Sequence, residues 1–196
     1  MGLFTPKTAT QRLFSRIPTL ETPRLILRKI LPEDAEDMHE YSRLAEVTRY
    51  LTWFEHDDVQ YTKDYLCALQ GAYRRGDFYD WGLELKENGK FIGTCGFTAI
   101  CEDQNFAEVG YVLSPSYQGQ GLMTEALKRV IRFGFEILCL ERIEAKHMNG
   151  NDASAAVMKR CGMSYEGHIR HRMIIKGKYE DYHLYSLLKS EYELLR

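Results

Sequence analysis

A glycine-containing loop between a strand and a long amphipathic helix constrains this chain more than any other feature. The loop, residues 117–124, has the sequence YQGQGLMT and follows a β-rich run at Phe106–Leu113. Apolar side chains then recur at helical spacing through residues 122–138, which predicts a helix with one buried face. Glycine lets a backbone approach a ligand closely, and a helix N-terminus offers free N–H groups and a positive dipole end. The loop therefore either cradles a pyrophosphate or is a glycine-rich turn that binds nothing.

Strand and helix patterns alternate along the chain in the order β-α-α-β-β-β-α-β-α-β-β. Predicted strands lie at residues 20–30, 81–86, 90–97, 106–113, 142–147, 165–175 and 179–188. Predicted helices lie at residues 32–44, 59–74, 122–138 and 151–160. Asn88-Gly89 is a strong hairpin signal because both residues tolerate positive φ. We expect an α/β (mixed α+β) fold: one domain over residues 19–196, with a mixed, mostly antiparallel twisted sheet and helices on both faces. Residues 1–18 are predicted to be a loose N-terminal arm.

Composition excludes several classes of function. The formal net charge is −2, whereas non-specific nucleic-acid binding depends on a strong basic excess. No apolar run approaches the ~20 residues that a membrane helix needs, and the N-terminus is too polar for a signal peptide. The six histidines have no metal-ligand spacing, and the five cysteines include no CxxC pair. We therefore expect a cytoplasmic protein with reduced thiols and no metal, nucleic-acid or membrane partner.

Three kinds of pyrophosphate-binding loop compete for residues 117–124. A Walker A loop needs GxxxxGK[ST], which the sequence lacks. A Rossmann loop needs GxGxxG directly after its first strand, but Thr124 replaces the third glycine and five residues, 114–118, separate strand from glycine. No acid stands at residues 147–149 to bind a ribose. A loop for coenzyme A is the remaining interpretation.

Four blocks in the right order resemble the GNAT superfamily of N-acetyltransferases. Residues 107–127 resemble its motif A, Q/R-x-x-G-x-G/A: Gln118 and Gly121 match, and Met123 departs from the final small residue. Residues 151–163 resemble the NxxS…GF region. The blocks at residues 20–25 and 166–188 are similar to the RimJ/RimL branch, so the resemblance covers about residue 19 to the C-terminus.

The resemblance implies acetyl-CoA as the co-substrate, with no metal. It implies that the strand at residues 109–113 splays from its neighbour and offers backbone groups to the pantetheine, with an oxyanion donor near Val112 or Leu113. The cofactor-binding residues that it implies are Val109, Tyr111, Val112, Leu113, Gln118, Gly119, Gln120, Gly121, Leu122, Met123, Thr124, Asn151 and Ser154.

Two side chains are candidates for catalysis. Glu108 is the predicted general base, directly or through water; a solvated strand carboxylate is the alternative. Ser154 is predicted to lie near the sulfur and to help protonate the thiolate, and a capping hydroxyl is its alternative. Asn151 matches the family asparagine and also suits a helix N-cap. Many members of the family place a tyrosine acid where this chain has Met158, so Ser154 or water must serve.

The acceptor side is less well defined by the sequence. Trp53 and Phe54 are predicted to wall the acceptor site, with one of the two in the core. Tyr179 and Asp181 are predicted to orient the acceptor amine, or else to hold the final hairpin together. An α-amine has a pKa of ~7.7–8.0 and is partly neutral near physiological pH, whereas a lysine at ~10.4 is almost wholly charged. A site with no evident strong base suits an α-amine better, and the RimJ/RimL resemblance implies the same acceptor, a protein N-terminus such as that of a ribosomal protein. A small amine and a non-catalytic acyl-CoA-binding role are the alternatives, in a monomer or homodimer.

Overall fold

The computed structural model describes residues 6–195, which form one eight-stranded sheet in the order β1-β2-β3-β4-β5-β6-β8-β7. The strands are β1 Leu20–Glu21, β2 Leu25–Arg28, β3 Tyr79–Leu85, β4 Phe91–Cys101, β5 Phe106–Leu113, β6 Arg142–Met148, β7 Ser164–Ile175 and β8 Lys178–Leu188. Within the described chain, β5–β6 is the one parallel pair and the others are antiparallel. The predicted mixed, mostly antiparallel sheet is confirmed.

Helices cover both faces of the sheet, as predicted. They are α1 Ala9–Phe14, α2 Ala35–Ser42, α3 Ala45–Thr48, α4 Val59–Arg75, α5 Leu122–Glu136, α6 Asp152–Arg160 and α7 Lys189–Leu194, with 3-10 turns at Pro32–Asp34 and Pro115–Tyr117. On one face, the apolar stripe of α5 packs with α1 and α6 against strand residues such as Trp81. On the other face, α2 and α4 bury Tyr41, Leu66 and Tyr73 against Phe91.

Capping residues and turn glycines lie at the ends of several helices and strands, close to the predicted bounds. Helix α4 begins after Asp58, whose carboxylate accepts the Tyr61 N–H at 2.7 Å, and it ends at Gly76 with φ 84°. The hairpin at Asn88-Gly89 joins β3 to β4, and Gly89 has the positive φ of 73° that such a turn requires. The short helices α3 and α7 were not predicted from the pattern.

The prediction of a loose arm is wrong for residues 6–18. Helix α1 is capped by Thr8, whose hydroxyl accepts the Gln11 N–H at 3.1 Å. Phe14 at its end is fully buried, with its ring centroid 5.5 Å from that of Trp81. The Trp81 indole N–H donates to the Pro18 carbonyl at 2.7 Å. One buried aromatic ring thus anchors a segment whose composition is mostly polar; residues 1–5 lie outside the described residues.

Strands β5 and β6 separate halfway along their length. Their pairing ends at Val109 opposite Ala145, although β5 stays paired with β4 to Leu113 and β6 stays paired with β8 to Met148. The backbone of β5 beyond Val109 therefore has no strand partner on its β6 side. This wedge is the splay that the family resemblance implies, and the site is built around it.

Candidate active site

Two cavities meet at the wedge between β5 and β6. The first, about 700 Å³, lies along the loop that precedes α5 and along the start of α6; we call it the loop cavity. The second, about 670 Å³, lies between the sheet and helices α2 and α4; we call it the aromatic cavity. Residues that line both are Tyr50, Leu51, Tyr111, Val112, Asn151 and Ser154. A ligand in one cavity can therefore meet a ligand in the other at this junction.

The floor of the loop cavity is a backbone cradle at the start of α5. Gly119 and Gly121 have φ values of 74° and 77°, a left-handed conformation that glycine adopts without strain. Gly121 is the N-cap of α5, so the N–H groups of the first helical turn have no partner within the helix. The Gln118 side chain donates to the Leu113 carbonyl at 3.1 Å and fixes the start of the loop. The geometry suits an anion such as a pyrophosphate.

Arg24 holds this loop from a distant part of the chain. Its guanidinium donates to the Gln120 carbonyl at 2.9 Å and forms an ion pair with Glu125 at 2.7 Å. The same carboxylate accepts the Thr22 hydroxyl at 2.6 Å. The block at residues 20–25 contributed to the family resemblance. The sequence alone did not show that Thr22 and Arg24 in this block contact the loop before α5 and its first turn. Arg160 of α6 also lines the loop cavity and places a cation where a phosphate can meet it.

The structure brings most of the predicted cofactor residues together. The loop cavity is lined by Tyr111, Val112, Leu113, Gln118, Gly119, Gly121, Leu122, Met123, Thr124, Asn151 and Ser154. Val109 lines the aromatic cavity instead. Gln120 lines neither cavity and contributes its carbonyl to Arg24. The Met123 side chain is buried in the core. Met123 departs from the small residue of the motif, but it lines the loop cavity with its backbone.

Tyr111 and Ser154 form a hydroxyl pair at the junction of the cavities. Their oxygens are 2.8 Å apart, and the Tyr111 hydroxyl also lies 3.0 Å from the Ser154 carbonyl. Burial raises the pKa of Tyr111. Asn151 caps α6, accepting the Ser154 N–H at 3.3 Å, which agrees with its capping interpretation. Met158 is buried, and the Tyr111 side chain supplies a hydroxyl that sequence reasoning did not expect there.

Glu108 faces the aromatic cavity, and other side chains hold both of its oxygens. Oε2 lies 2.8 Å from the Lys146 ammonium, and Oε1 accepts the Thr98 hydroxyl at 2.8 Å. The carboxylate is therefore not merely solvated. Its role as general base stays a prediction.

The four predicted acceptor residues separate into two groups. Trp53 lines the aromatic cavity, and its ring centroid lies 5.2 Å from that of His56. Phe54 is 65% exposed beneath the Lys176 ammonium, so neither aromatic belongs to the core. Tyr179 is exposed, and Asp181 accepts the His171 backbone N–H at 2.8 Å. Phe54, Tyr179 and Asp181 line neither cavity, so their part in acceptor binding stays a prediction.

Asp80 is the carboxylate that sequence reasoning missed. It lines the aromatic cavity, and its Oδ1 is buried without a hydrogen-bond partner in the part of the chain that the structure describes. Burial raises the pKa of Asp80 to about 7, against the lowering effect of hydrogen bonds from Thr94 and the Trp81 backbone. The only sequence signal was a polar residue next to Trp81 in a β-rich run.

Two other kinds of site are missing from residues 6–195. No group of three or more His, Cys, Asp or Glu side chains there is arranged to hold a metal ion. No helix in the same range is long and apolar enough to cross a membrane.

Comparisons with known proteins agree with this geometry. The family model described as Acetyltransferase (GNAT) domain matches residues 24–164. An uncharacterized N-acetyltransferase p20 of Bacillus licheniformis is 36% identical over 89% of this chain and 98% of its own length. The spermidine N(1)-acetyltransferase of Escherichia coli is 27% identical over 79% of this chain and 81% of its own. The crystal structure of a ribosomal-protein-S5-alanine acetyltransferase from Vibrio fischeri superimposes with a TM-score of 0.72, at 25% identity, over 88% of this chain and 97% of that one.

Proposed function

Because the chain belongs to the GNAT acetyltransferase family, of the RimJ/RimL type, and is an acetyl-CoA-dependent N-acetyltransferase, we propose that it acetylates the N-terminal α-amine of a protein. The observation that carries the proposal is the number of carboxyl groups in the aromatic cavity that lack a cationic partner. Its lining has two carboxylates, Asp80 and Glu108. Lys146 neutralises Glu108, and within residues 6–195 no Lys or Arg forms an ion pair with Asp80. Asp80 is thus the one carboxyl group left in this lining to pair with one ammonium group of an acceptor.

The walls of the cavity suit the first residue of a peptide. Apolar side chains such as Ile30, Met38 and Met173 line it beside the aromatic rings of Trp53 and Tyr65. A polyamine carries further ammonium groups, and burying a charge without a partner is strongly unfavourable. The first residue of a protein has one α-amine, and when its side chain is apolar it brings no second charge into the cavity. This favours a protein N-terminus over a polyamine, although a relative of this chain is a spermidine acetyltransferase.

The loop cavity is the proposed site for acetyl-CoA. The N–H groups at the start of α5 and the Arg160 guanidinium would bind its pyrophosphate. The backbone groups of β5 that face β6 beyond Val109 have no strand partner in the described part of the chain and would hold the pantetheine, so that the acetyl group would reach the junction. There the hydroxyl pair of Tyr111 and Ser154 would donate a hydrogen bond to the departing thiolate. Backbone N–H groups near Val112 or Leu113 would stabilise the oxyanion.

A panel of acceptors tests the function, with released thiol as the measurement. The panel contains a peptide with N-terminal Ala and one internal Lys, the same peptide with a formylated N-terminus, and spermidine. We expect turnover of the free peptide, none of the formylated one, and mass spectrometry that places the acetyl group on the α-amine. Acetylation of spermidine with no turnover of either peptide would replace the proposed acceptor with a small amine. Binding of acetyl-CoA without turnover of any amine would favour a non-catalytic role.

A further inference from the structure

A row of three residues crosses the sheet beneath the aromatic cavity, from β3 to β5. Asp80 lies opposite Gly96, and Gly96 lies opposite Gly110. Directly opposed residues on antiparallel strands project from the same face of a sheet, so the Asp80 side chain shares its face with two positions that have none. A Cβ atom on Gly96 would lie 2.7 Å from Asp80 Oδ1, so the carboxylate leans over Gly96. Thr98 covers Gly110, because its Cγ2 would lie 2.6 Å from a Cβ atom added there, and Asp80, Thr98 and Gly110 all line the aromatic cavity.

This row joins Asp80 to the junction of the two cavities. Neighbouring strands are ~4.8 Å apart, so two strand spacings separate the backbones of Asp80 and Gly110. The Asp80 side chain spans part of the first spacing. Gly110 directly precedes Tyr111 and Val112, which line both cavities. An amine in the aromatic cavity would meet Asp80 on one side and the junction on the other, directly or through one water molecule, because both line this cavity.

Within residues 6–195, two polar atoms of this cavity lack the partners that buried polar atoms usually have. Two buried side-chain atoms in the described residues lack a hydrogen-bond partner, Asp80 Oδ1 and Ser42 Oγ, and both residues line the aromatic cavity. Buried polar groups in native proteins are nearly always satisfied, and each exception calls for an explanation, such as a catalytic role or a bound water or ion. The Glu108 carboxylate in the same cavity is fully engaged by Lys146 and Thr98. Asp80, which is half-buried, therefore has one oxygen without a partner in the described structure, in a cavity where the other carboxylate is paired.

Burial favours a neutral carboxyl at Asp80 when the cavity is empty, and the titratable groups around it supply no positive charge. The charge of Asp80 contributes, after burial, to raising the pKa values of Tyr41, Tyr65 and Cys95. Tyr73 of α4 donates its hydroxyl to the Asp80 carbonyl, and its pKa is raised in the same way. All four groups are neutral at physiological pH, so none supplies a positive charge. An entering ammonium group would be the cation that stabilises the carboxylate.

We propose that Asp80 binds the ammonium group of the acceptor and takes its proton, which makes it the general base of this enzyme. The identity of the acceptor rests on the proposed function, whereas the role of Asp80 applies to any primary amine. The carboxylate removes one proton from R–NH₃⁺, and the freed nitrogen pair attacks the thioester carbon. The C–N bond forms, the C–S bond breaks, and the thiolate leaves with the pair of the C–S bond. The second nitrogen proton neutralises the thiolate, and Asp80 releases its proton to solvent.

The ionisation of Asp80 suits this task. A base is most effective when its pKa lies near the working pH, and burial raises the pKa of Asp80 to about 7. Binding of a cation beside it lowers that value, so the ammonium group itself promotes the ionised form. A free α-amine titrates at ~7.7–8.0, close to the value of about 7 that Asp80 has before the ammonium group binds.

Three proteins test the proposal: the wild type, Asp80→Asn and Glu108→Gln, each assayed from pH 5.5 to 9.5 with the N-terminal Ala peptide and with spermidine. We expect Asp80→Asn to lower kcat/KM by about 10²-fold near pH 7 and to remove an ionisation of the wild-type profile. The loss should shrink at high pH, where the amine deprotonates in solution. Glu108→Gln should keep that ionisation. Calorimetry should give unchanged acetyl-CoA affinity for both variants, which confirms that they fold; Asp80→Ser replaces Asp80→Asn if the amide does not fold.

The outcomes separate this proposal from the proposed function. A wild type that acetylates spermidine alone overturns the α-amine acceptor and leaves the Asp80 test to run on spermidine. An Asp80→Asn variant with wild-type kcat/KM and a wild-type pH profile overturns the role of Asp80, whatever the acceptor. If Glu108→Gln removes the ionisation instead, Glu108 is the base. A wild type that turns over neither amine overturns both proposals.

Discussion

The loop cavity and the aromatic cavity meet at the wedge, but the chain builds them in different ways. The loop cavity comes mainly from two continuous stretches, residues 111–124 and 151–160, and its floor is backbone. The aromatic cavity collects side chains from α2, α4 and strands β3 to β8. A backbone cradle for a shared co-substrate depends on local sequence. A side-chain cavity depends on tertiary contacts and can change with the acceptor.

The largest effect is expected at the cradle. Gly121→Val should abolish measurable acetyl-CoA binding, a loss of at least about 10³-fold, because a β-branched side chain would fill the groove and oppose the left-handed backbone at φ 77°. Calorimetric titration with acetyl-CoA measures the effect.

Gly89→Val is the matched control for backbone strain. Gly89 has a φ of 73° in the β3–β4 turn, with nothing within 4 Å of an added Cβ. This variant should lose similar stability and keep its acetyl-CoA affinity. Equal loss of affinity in both variants would mean that strain alone, and not the cradle, accounts for the result.

The aromatic cavity should show its own effect through the stability of the protein. Burial raises the pKa of Asp80 to about 7 from its ordinary 3.8, so the folded state holds a proton that the unfolded state releases. Stability from this group is present below pH ~4 and falls as pH rises through ~7. Asp80→Asn should therefore be more stable than the wild type at pH 8, by about 2–4 kcal/mol.

Urea unfolding at pH 5 and pH 8 measures this difference. Glu108→Gln is the control, because its carboxylate is paired with Lys146 and its removal should not stabilise the protein at pH 8. A wild type that is as stable relative to Asp80→Asn at pH 8 as at pH 5 would show that Asp80 is ionised normally.

A smaller effect is expected at the cavity wall. Trp53→Ala should raise KM for the acceptor about tenfold, because losing one aromatic contact removes on the order of 1.4 kcal/mol. The affinity for acetyl-CoA should not change, since Trp53 lines only the aromatic cavity. Phe54→Ala, at the exposed neighbouring side chain, should leave both constants near wild type. The reverse result for the two variants would place the acceptor outside the aromatic cavity.

The smallest effect is expected at the junction. Tyr111→Phe removes the partner of the Ser154 hydroxyl and should lower kcat roughly threefold to tenfold, the equivalent of one hydrogen bond. Single-turnover kinetics with saturating acetyl-CoA measure it. Tyr117→Phe, at another tyrosine that lines the loop cavity, is the control. An unchanged kcat for Tyr111→Phe would mean that the Tyr111 hydroxyl does not help to stabilise the departing thiolate.

The sequence predicted what depends on neighbouring residues. The helix start at Gly121, the cap at Asn151 and the hairpin at Asn88-Gly89 follow from local conformational preferences, and the structure has all three. Asp80 was missed because its environment depends on strand register, which sets it beside two glycines of other strands. Phe14 was missed because a single aromatic residue in a polar segment does not reveal its partners.

The most direct test of the two-cavity account is a crystal structure of the enzyme with acetyl-CoA. The account predicts the pyrophosphate on the N–H groups that follow Gly121, and the acetyl carbon at the junction beside Tyr111 and Ser154, facing the aromatic cavity. Acetyl-CoA bound with its pyrophosphate away from α5, or with its acetyl group outside the junction, would contradict it.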